Sequence, residues 1–306
     1  MRPASFLLAL LALAACATSG LSERDHPLAG RIWDVRHERF VTAEQAEAIV
    51  ARADYALLGE THDNPAHHEI QARLLEAASQ RAPLPALALE QIDLEYQQAV
   101  DAAREKGATP AAIAEAGHIA TGWQWKRYEP LIAYALAHGE RILAANYSRA
   151  RSREVMTGGV AAIGAAQLER LAVEPVWSPE RNAKLRGLIV EGHCGQDDPI
   201  IDSVVAIQRV RDALMADAIL QAPRTVAIIG RGHARADVGV PLYLALRAPA
   251  KRVISLGIVE VEGDKPNAAD YPEAAPGTHD LVWFTPRAGR TDPCASFKPI
   301  GKPARR

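Results

Sequence analysis

The chain is poor in cysteine and in aromatic residues, and it has no excess of charge of either sign. Its three cysteines stand at Cys16, Cys194 and Cys294, and none belongs to a Cys-x-x-Cys pair. That spacing excludes a paired-cysteine zinc site, and the absence of Cys-x-x-Cys-His excludes covalent haem attachment. Net charge is -2, with no basic stripe and no RNA-binding aromatic motif, so nucleic acid is excluded as a partner. A Gly-x-Ser-x-Gly elbow is missing, which argues against a serine hydrolase, and so is the helical His-Glu-x-x-His of zinc proteases. Beyond the first residues no apolar run is long enough to span a bilayer. No internal repeat is visible.

The N-terminus carries a positive residue, Arg2, and then a nearly continuous apolar stretch from Phe6 to Ala15. It is too short for a permanent transmembrane helix. It closes on Leu13-Ala14-Ala15-Cys16, the small-residue pattern before a lipidated cysteine. The expectation is a lipoprotein signal over 1–15, cleaved to leave Cys16 acylated, with a polar tether over 16–28. The plainer alternative is an ordinary secretory leader with a chance cysteine. Ala17 rather than Asp after Cys16 favours the outer membrane of a Gram-negative cell. Several acyl chains would hold the chain there firmly. An exported address would allow Cys194 and Cys294 to pair, the alternative being two free thiols.

The remaining length and the ordinary apolar content of 48% suit one large folded domain or two small ones. Gly30 to Arg36 reads as a short strand. Thr42 with Gln45 three residues on forms a capping box that starts a helix. Tyr55 to Leu58, Pro85 to Leu89, Ile142 to Ala145, Thr225 to Ile229, Val253 to Val259 and Leu281 to Phe284 read as buried strands. Between them, Ile70, Leu74, Leu75 and Ala78 fall on one face of a helix over His67 to Gln80, and Pro130 opens another. Strands alternating with helices predict an α/β fold with a mostly parallel central sheet flanked by helices. From Arg149 to Pro223 there is no convincing strand, and Ile207, Val210, Leu214 and Ala218 mark a long amphipathic helix. A smaller helical lobe over about 150–223 is therefore expected as an insertion. Residues 262–279, rich in Pro, Gly, Ala and Asp, read as a surface loop, and 296–306 as a disordered tail.

The chemistry-bearing residues follow the buried strands. Glu60, Thr61 and His62 come after the first through Gly59, Glu90 ends the second, Asn146 the third, and Gly230-Arg231-Gly232-His233 the fourth. In open α/β sheets ligands bind beyond the carboxyl ends of the strands. Any one of these residues alone could be a satisfied core polar group or a helix cap. Four in register predict a common polar cleft. Gly230-Arg231-Gly232 is half of a dinucleotide loop without its third glycine. Trp123, Trp125 and Tyr128 cluster before Pro130, and core packing is the expected reason for the tryptophans.

Taken in order, these pieces resemble the ChaN family of haem-binding lipoproteins within the Tiki superfamily. The matching residues are Gly59 to Asn64 with His67, His68 and Gln71; Trp125, Tyr128 and Pro130; Asn146 with Arg149; His193-Cys194-Gly195; Gln208, Arg211, Asp212, Met215 and Ala216; Gly230 to Arg235 with Asp237, Gly239 and Pro241; and Asp292-Pro293-Cys294. The resemblance covers residues 29–295. It implies non-covalent haem in haem or iron uptake, a tyrosine as axial ligand to the iron, haem shared across a homodimer, and an outer-membrane haem receptor as a partner. A tyrosinate ligand must be deprotonated, so a nearby cation is needed. Tyr128 is the first candidate and Tyr147, close to Arg149, the second. His67, His193 and Arg235 are the further cofactor-binding candidates. The superfamily also contains hydrolases, some metal-dependent. On that alternative Glu60, His62, Glu90 and His233 form the catalytic site.

Overall fold

The computed structural model describes residues 21–290 and Cys294. The expected lipid-bearing Cys16 and the tail over 296–306 lie outside the described residues. The described chain forms ten strands: β1 (Leu21–Ser22), β2 (Ile32–Asp34), β3 (Arg39–Val41), β4 (Tyr55–Glu60), β5 (Ala86–Asp93), β6 (Ile142–Asn146), β7 (Thr225–Gly230), β8 (Val253–Glu260), β9 (Leu281–Thr285) and β10 (Arg287–Ala288). Its α-helices are α1 (Ala43–Ala51), α2 (Pro65–Ser79), α3 (Gln97–Glu105), α4 (Pro110–Ala116), α5 (Glu129–His138), α6 (Arg149–Gly158), α7 (Ala165–Leu171), α8 (Pro179–Gly192), α9 (Ile201–Ile219), α10 (Arg231–Ala234) and α11 (Val240–Arg247).

An eight-stranded sheet runs in the order β3-β2-β9-β8-β4-β7-β5-β6. From β9 to β6 every pairing is parallel. The edge pair β2–β3 is antiparallel, as is β2 against β9. The strand expected over Gly30 to Arg36 is β2, while β3 and the antiparallel pairing went unread, since three residues are too few for alternation to show. The parallel strands are apolar throughout, as sheets covered on both faces require. Along β4 the side chains alternate between two cores. Ala56 and Leu58 join Leu74, Leu75 and Ile132, while Tyr55 and Leu57 join Val210, Leu214 and Tyr243. A fully buried leucine such as Leu57 contributes roughly 1.5 to 3 kcal/mol.

The capping box forms as expected, with Thr42 accepting from Gln45 N and Gln45 Oε1 accepting from Thr42 N. Helix α2 starts two residues earlier than its apolar face suggests, because Asn64 caps it and Pro65 takes its first position. The interval between β6 and β7 holds helices α6 to α9 and, among the described residues, no strand. It is less of a separate lobe than expected. The second half of α9 buries Val210, Leu214 and Ala218 against the sheet. The stretch 262–279 is also not a plain surface loop. Tyr271, 1% exposed, packs on Phe284 beside Ala268 and Ala274 in a third core.

Cys194 and Cys294 are joined as a disulfide with Cα atoms 5.5 Å apart. The bridge ties the end of α8 to a residue 100 positions later in the chain. Closing so long a loop restricts the unfolded chain, a contribution of about 2 to 4 kcal/mol. The double variant Cys194→Ala, Cys294→Ala is expected to lose that amount in urea unfolding at neutral pH. A loss under about 1 kcal/mol would mean that the bridge constrains little.

Candidate functional site

Three adjacent parallel strands bring the strand-end residues together. Glu60 closes β4 in register with Gly230, which closes β7, and β5 with Glu90 lies on the other side of β7. The sequence visits these strands in the order β4, β5, β7. The crossover therefore inserts β7 between its two predecessors and aligns all three carboxyl ends. Gly59 lets the chain after β7 fold back onto β4, since a Cβ there would stand 2.9 Å from Arg231 Cα and 2.8 Å from Ala234 Cβ. The resulting cleft, about 400 Å³, is lined by Glu60, Thr61, His62, Glu90, Gln208, Arg211, Gly230, Arg231, Gly232 and His233.

Glu60 is 2% exposed and works as an anchor for donors. Its Oε1 accepts from His62 Nδ1 at 2.7 Å, from the Tyr128 hydroxyl at 2.7 Å and from Gln91 Nε2 at 3.3 Å. Its Oε2 accepts from Gln71 Nε2 at 2.9 Å, with His68 Nδ1 3.2 Å away. Burial alone would raise its pKa, but the hydrogen bonds and charges of His62 and His68 hold it at about 2. Glu60 is thus a carboxylate at any ordinary pH, saturated with donors, and not a free base.

His62 is oriented by that bond. Its Nδ1 is committed to Glu60, its side chain is 40% exposed, and its Nε2 has no hydrogen-bond partner among the described residues. Nε2 lies 3.2 Å from where a Cβ on Gly230 would stand, so any larger residue there would press on the ring. Trp123 meets the His62 ring edge-on at 4.5 Å. Burial would lower the His62 pKa, but the bond to Glu60 and the charges of Glu90 and Glu60 raise it overall.

The second half of the site is a chain of buried charges. Glu90 Oε1 accepts from Arg211 at 2.6 Å, and Oε2 accepts from the Gly230 N–H at 2.6 Å. Arg211 also donates to Asn146 Oδ1 at 2.8 Å, and Asn146 in turn donates to Asp93. Asn146 therefore belongs to the cluster through Arg211 although it does not line the cleft. His233 Nδ1 lies 2.5 Å from Asp212 Oδ1, with the Gln208 amide 2.8 Å from the same nitrogen, and His233 Nε2 is 3.5 Å from Glu90. Burial works against charge on His233, but Glu90 and Asp212 outweigh it and lift the pKa to about 9. Glu90 is depressed below the usual carboxylate range: desolvation opposes its charge, and His233 and Arg211 overcome that. Both groups are locked in their charged forms.

Sequence reasoning named Glu60, His62, Glu90 and His233, and all four meet in this cleft. It named neither Gln208, Arg211 and Asp212 nor Gln91 as site residues. The signal for the first three was present: they are polar residues at i, i+3 and i+4, which share one face of α9. Gln91 lies inside an apolar strand and gave no such signal.

The geometry corrects several expectations. Tyr128 is fully buried and donates to Glu60; desolvation and that carboxylate push its pKa far above the ordinary phenol range. Tyr147 is 3% exposed and is likewise raised by burial, although Arg151 rather than Arg149 stands over its ring. In this arrangement both phenols hold their protons. His67 is fully buried with both ring nitrogens used: Nδ1 accepts from Thr61 N, and Nε2 pairs with Thr285 Oγ1. It is a structural histidine and not a cofactor contact. Of the tryptophans expected in the core, Trp123 is partly buried and packs against it while meeting His62, and Trp125 is partly buried with Lys126 over its ring.

A second concavity adjoins the first. A groove of about 380 Å³ runs between α8 and the segment after β7, sharing Gln208, Arg231 and Gly232 with the cleft. Its wall is apolar through Leu185, Leu188, Ile189 and Val238, and Arg231 and Arg235 line it. Arg231 pairs with Glu273 at 3.1 Å and Arg235 with Asp237 at 2.8 Å. His193 caps the end of α8, half-buried, with Nδ1 bonded to Ile189 O at 2.7 Å. Among the described residues, no group of three His, Cys, Asp or Glu side chains is arranged to hold a metal ion. No helix among them is long and apolar enough to cross a membrane.

The family described as haem-binding uptake, Tiki superfamily, ChaN matches residues 47–244. Among solved structures, the chain is similar to ChaN of Campylobacter jejuni, described as binding haem cofacially. That match has 21% identity and a TM-score of 0.67, and covers 82% of this chain and 95% of that one. At this identity it is a likeness of fold, and it agrees with the parallel sheet and its flanking helices. A mutant of the erythromycin esterase EreC in its open conformation aligns at 10% identity and TM-score 0.45, over 87% of this chain and 99% of that one. A protein from Bacillus cereus aligns at 12% identity and TM-score 0.43, over 82% and 79%. No curated protein matches.

Proposed function

Because the chain belongs to the haem-binding uptake family of the Tiki superfamily, ChaN, we propose that it binds haem non-covalently, seated in the groove between α8 and the segment after β7. The observation that carries the location is the groove's mixed lining. A porphyrin is a flat apolar ring with two carboxylates on one edge. Leu185, Leu188, Ile189 and Val238 suit the ring, and Arg231 and Arg235 suit the carboxylates. His193, whose Nδ1 is held by its own helix, is the first ligand to test for the iron, in place of Tyr128 and Tyr147. The Campylobacter protein's cofacial haem supports a reading in which a second copy covers the ring's outer side. On this proposal Cys16 is lipidated, the domain is held at the outer membrane, and haem or iron uptake through a haem receptor is its role.

Ferric haem titrated into the purified protein is expected to give a shifted, saturable Soret band. Tyr128→Phe and Tyr147→Phe should leave the band where it is, His193→Ala should move it, and Arg231→Gln with Arg235→Gln should weaken binding about tenfold or more. A Soret band that stays at the position of free haem through the titration would sink the haem reading.

A second reading, a hydrolase using Glu60, His62, Glu90 and His233, is favoured by one observation: His62 is fixed by a buried carboxylate with its other nitrogen facing the cleft.

A further inference from the structure

The four residues of the cleft do not have equal freedom. Glu60 and Glu90 are buried carboxylates whose oxygens already accept from side chains and from the Gly230 N–H. His233 is held between Asp212 and Glu90, 5% exposed. His62 alone among the four has an open basic atom. Its Nδ1–H points to Glu60, so the lone pair of the neutral ring is on Nε2, on the cleft side of Gly230. A buried carboxylate that fixes the tautomer of a half-exposed imidazole is the arrangement a general base requires. Arg211 and Arg231 also line the cleft, paired with Glu90 and Glu273, and His233 is a buried cation between Asp212 and Glu90. The arginine N–H groups not spent on those pairs, Arg211 Nε among them, are the donors that would meet an oxyanion. Cleft and apolar groove share Arg231, so a substrate with its reacting centre over His62 has an apolar surface for its other end.

We propose that this cleft hydrolyses carboxylic esters that carry an extended apolar acyl group, with His62 as general base, Glu60 as its positioning residue, and Arg211 and Arg231 stabilising the oxyanion. The inference rests on the hydrolase reading and gives it a substrate class. A water oxygen attacks the ester carbonyl carbon and its proton passes to His62 Nε2. The carbonyl oxygen becomes an oxyanion facing the two arginines. When the carbonyl re-forms, the acyl–oxygen bond of the ester breaks and the proton on Nε2 passes to the departing alkoxide. The products are a carboxylic acid, which ionises, and an alcohol. Esters are preferred to amides because an amine leaving group demands a strong proton donor.

The test is hydrolysis of p-nitrophenyl acetate, butyrate and octanoate by the full chain. Octanoate is expected to exceed acetate in kcat/KM by tenfold or more. The change His62→Gln touches a half-exposed side chain, so the fold should survive, as far-UV circular dichroism would show, while kcat/KM falls about 100-fold or more. For Glu60→Gln the pH profile of kcat/KM should shift to lower pH, because the charge that raises His62 is lost; a merely structural role would lower the amplitude without moving the profile. Hydrolysis that persists unchanged in His62→Gln, or that falls from acetate to octanoate, would leave a hydrolase but overturn this assignment. No hydrolysis above the buffer rate for any of the three esters would overturn the hydrolase reading itself.

Discussion

Replacing Glu90 with leucine is expected to destabilise the fold by about 3 to 5 kcal/mol, the usual cost of leaving buried charges without their partner. Glu90 is 2% exposed at the centre of three strands. It neutralises Arg211 at 2.6 Å and lies 3.5 Å from His233, and it accepts the Gly230 N–H that fixes the end of β7. Leucine fills a similar volume but leaves two cations facing each other and one buried N–H without an acceptor. Glu90→Gln keeps an acceptor for Gly230 and loses only the charge, so its cost should be smaller, about 1 to 3 kcal/mol. Urea unfolding at pH 7 separates the two. In the glutamine variant the His233 pKa, followed by NMR, should fall well below about 9, since Glu90 is the largest of the charges that raise it. A leucine variant within about 1 kcal/mol of the parent would mean that the charged chain through Arg211 and His233 contributes little to the fold.

Strands in the parallel sheet were legible because burial on both faces writes an uninterrupted apolar run, as in Leu87 to Leu89 or Val226 to Ile229. The edge strand at Arg39 was not, because three residues carry no period. The convergence of Glu60, Glu90 and His233 could be read from a general rule about strand ends in α/β sheets. Their protonation states could not, since these depend on which side chains reach them through space. His67 illustrates the limit. By spacing it stands beside the site and next to His68, yet one turn of α2 places it against Thr285 in the core. Tyr128 is the same lesson for the ligand. Its motif was legible, but not that its hydroxyl would be spent on Glu60. The α9 contribution was legible only in part: an apolar helix face was evident, while Arg211 and Asp212 on the same helix find their meaning in Glu90 and His233 from other elements.

Stability should pass through a maximum near pH 6.5 and fall steeply on the acid side, by about 5 kcal/mol between pH 6.5 and 4.5. Two buried histidines set this limb. His67 is held at about 3 by burial first and then by Arg231, and His279 at about 3 by burial and then by Arg235 and Arg231. In the folded chain both stay neutral down to that range, while in the unfolded chain both bind a proton below about 6.5. The unfolded state therefore holds more protons, and stability drops as pH falls, at roughly 1.4 kcal/mol per pH unit for each group. Glu60, held at about 2, adds to the loss once the unfolded glutamate protonates, below about 4.5. On the alkaline side the sign reverses. His233 is charged in the fold up to about 9, so the folded state holds the extra proton between 6.5 and 9, and stability declines as pH rises through that window. Urea midpoints measured from pH 4 to 9.5 would trace both limbs. His279→Leu should remove about half of the acid slope above pH 4.5, because only His67 then protonates on unfolding in that range. A midpoint that stays level from pH 6.5 to 4.5 in the parent would show that the two imidazoles can take up protons without leaving the core, and that burial does not hold them neutral.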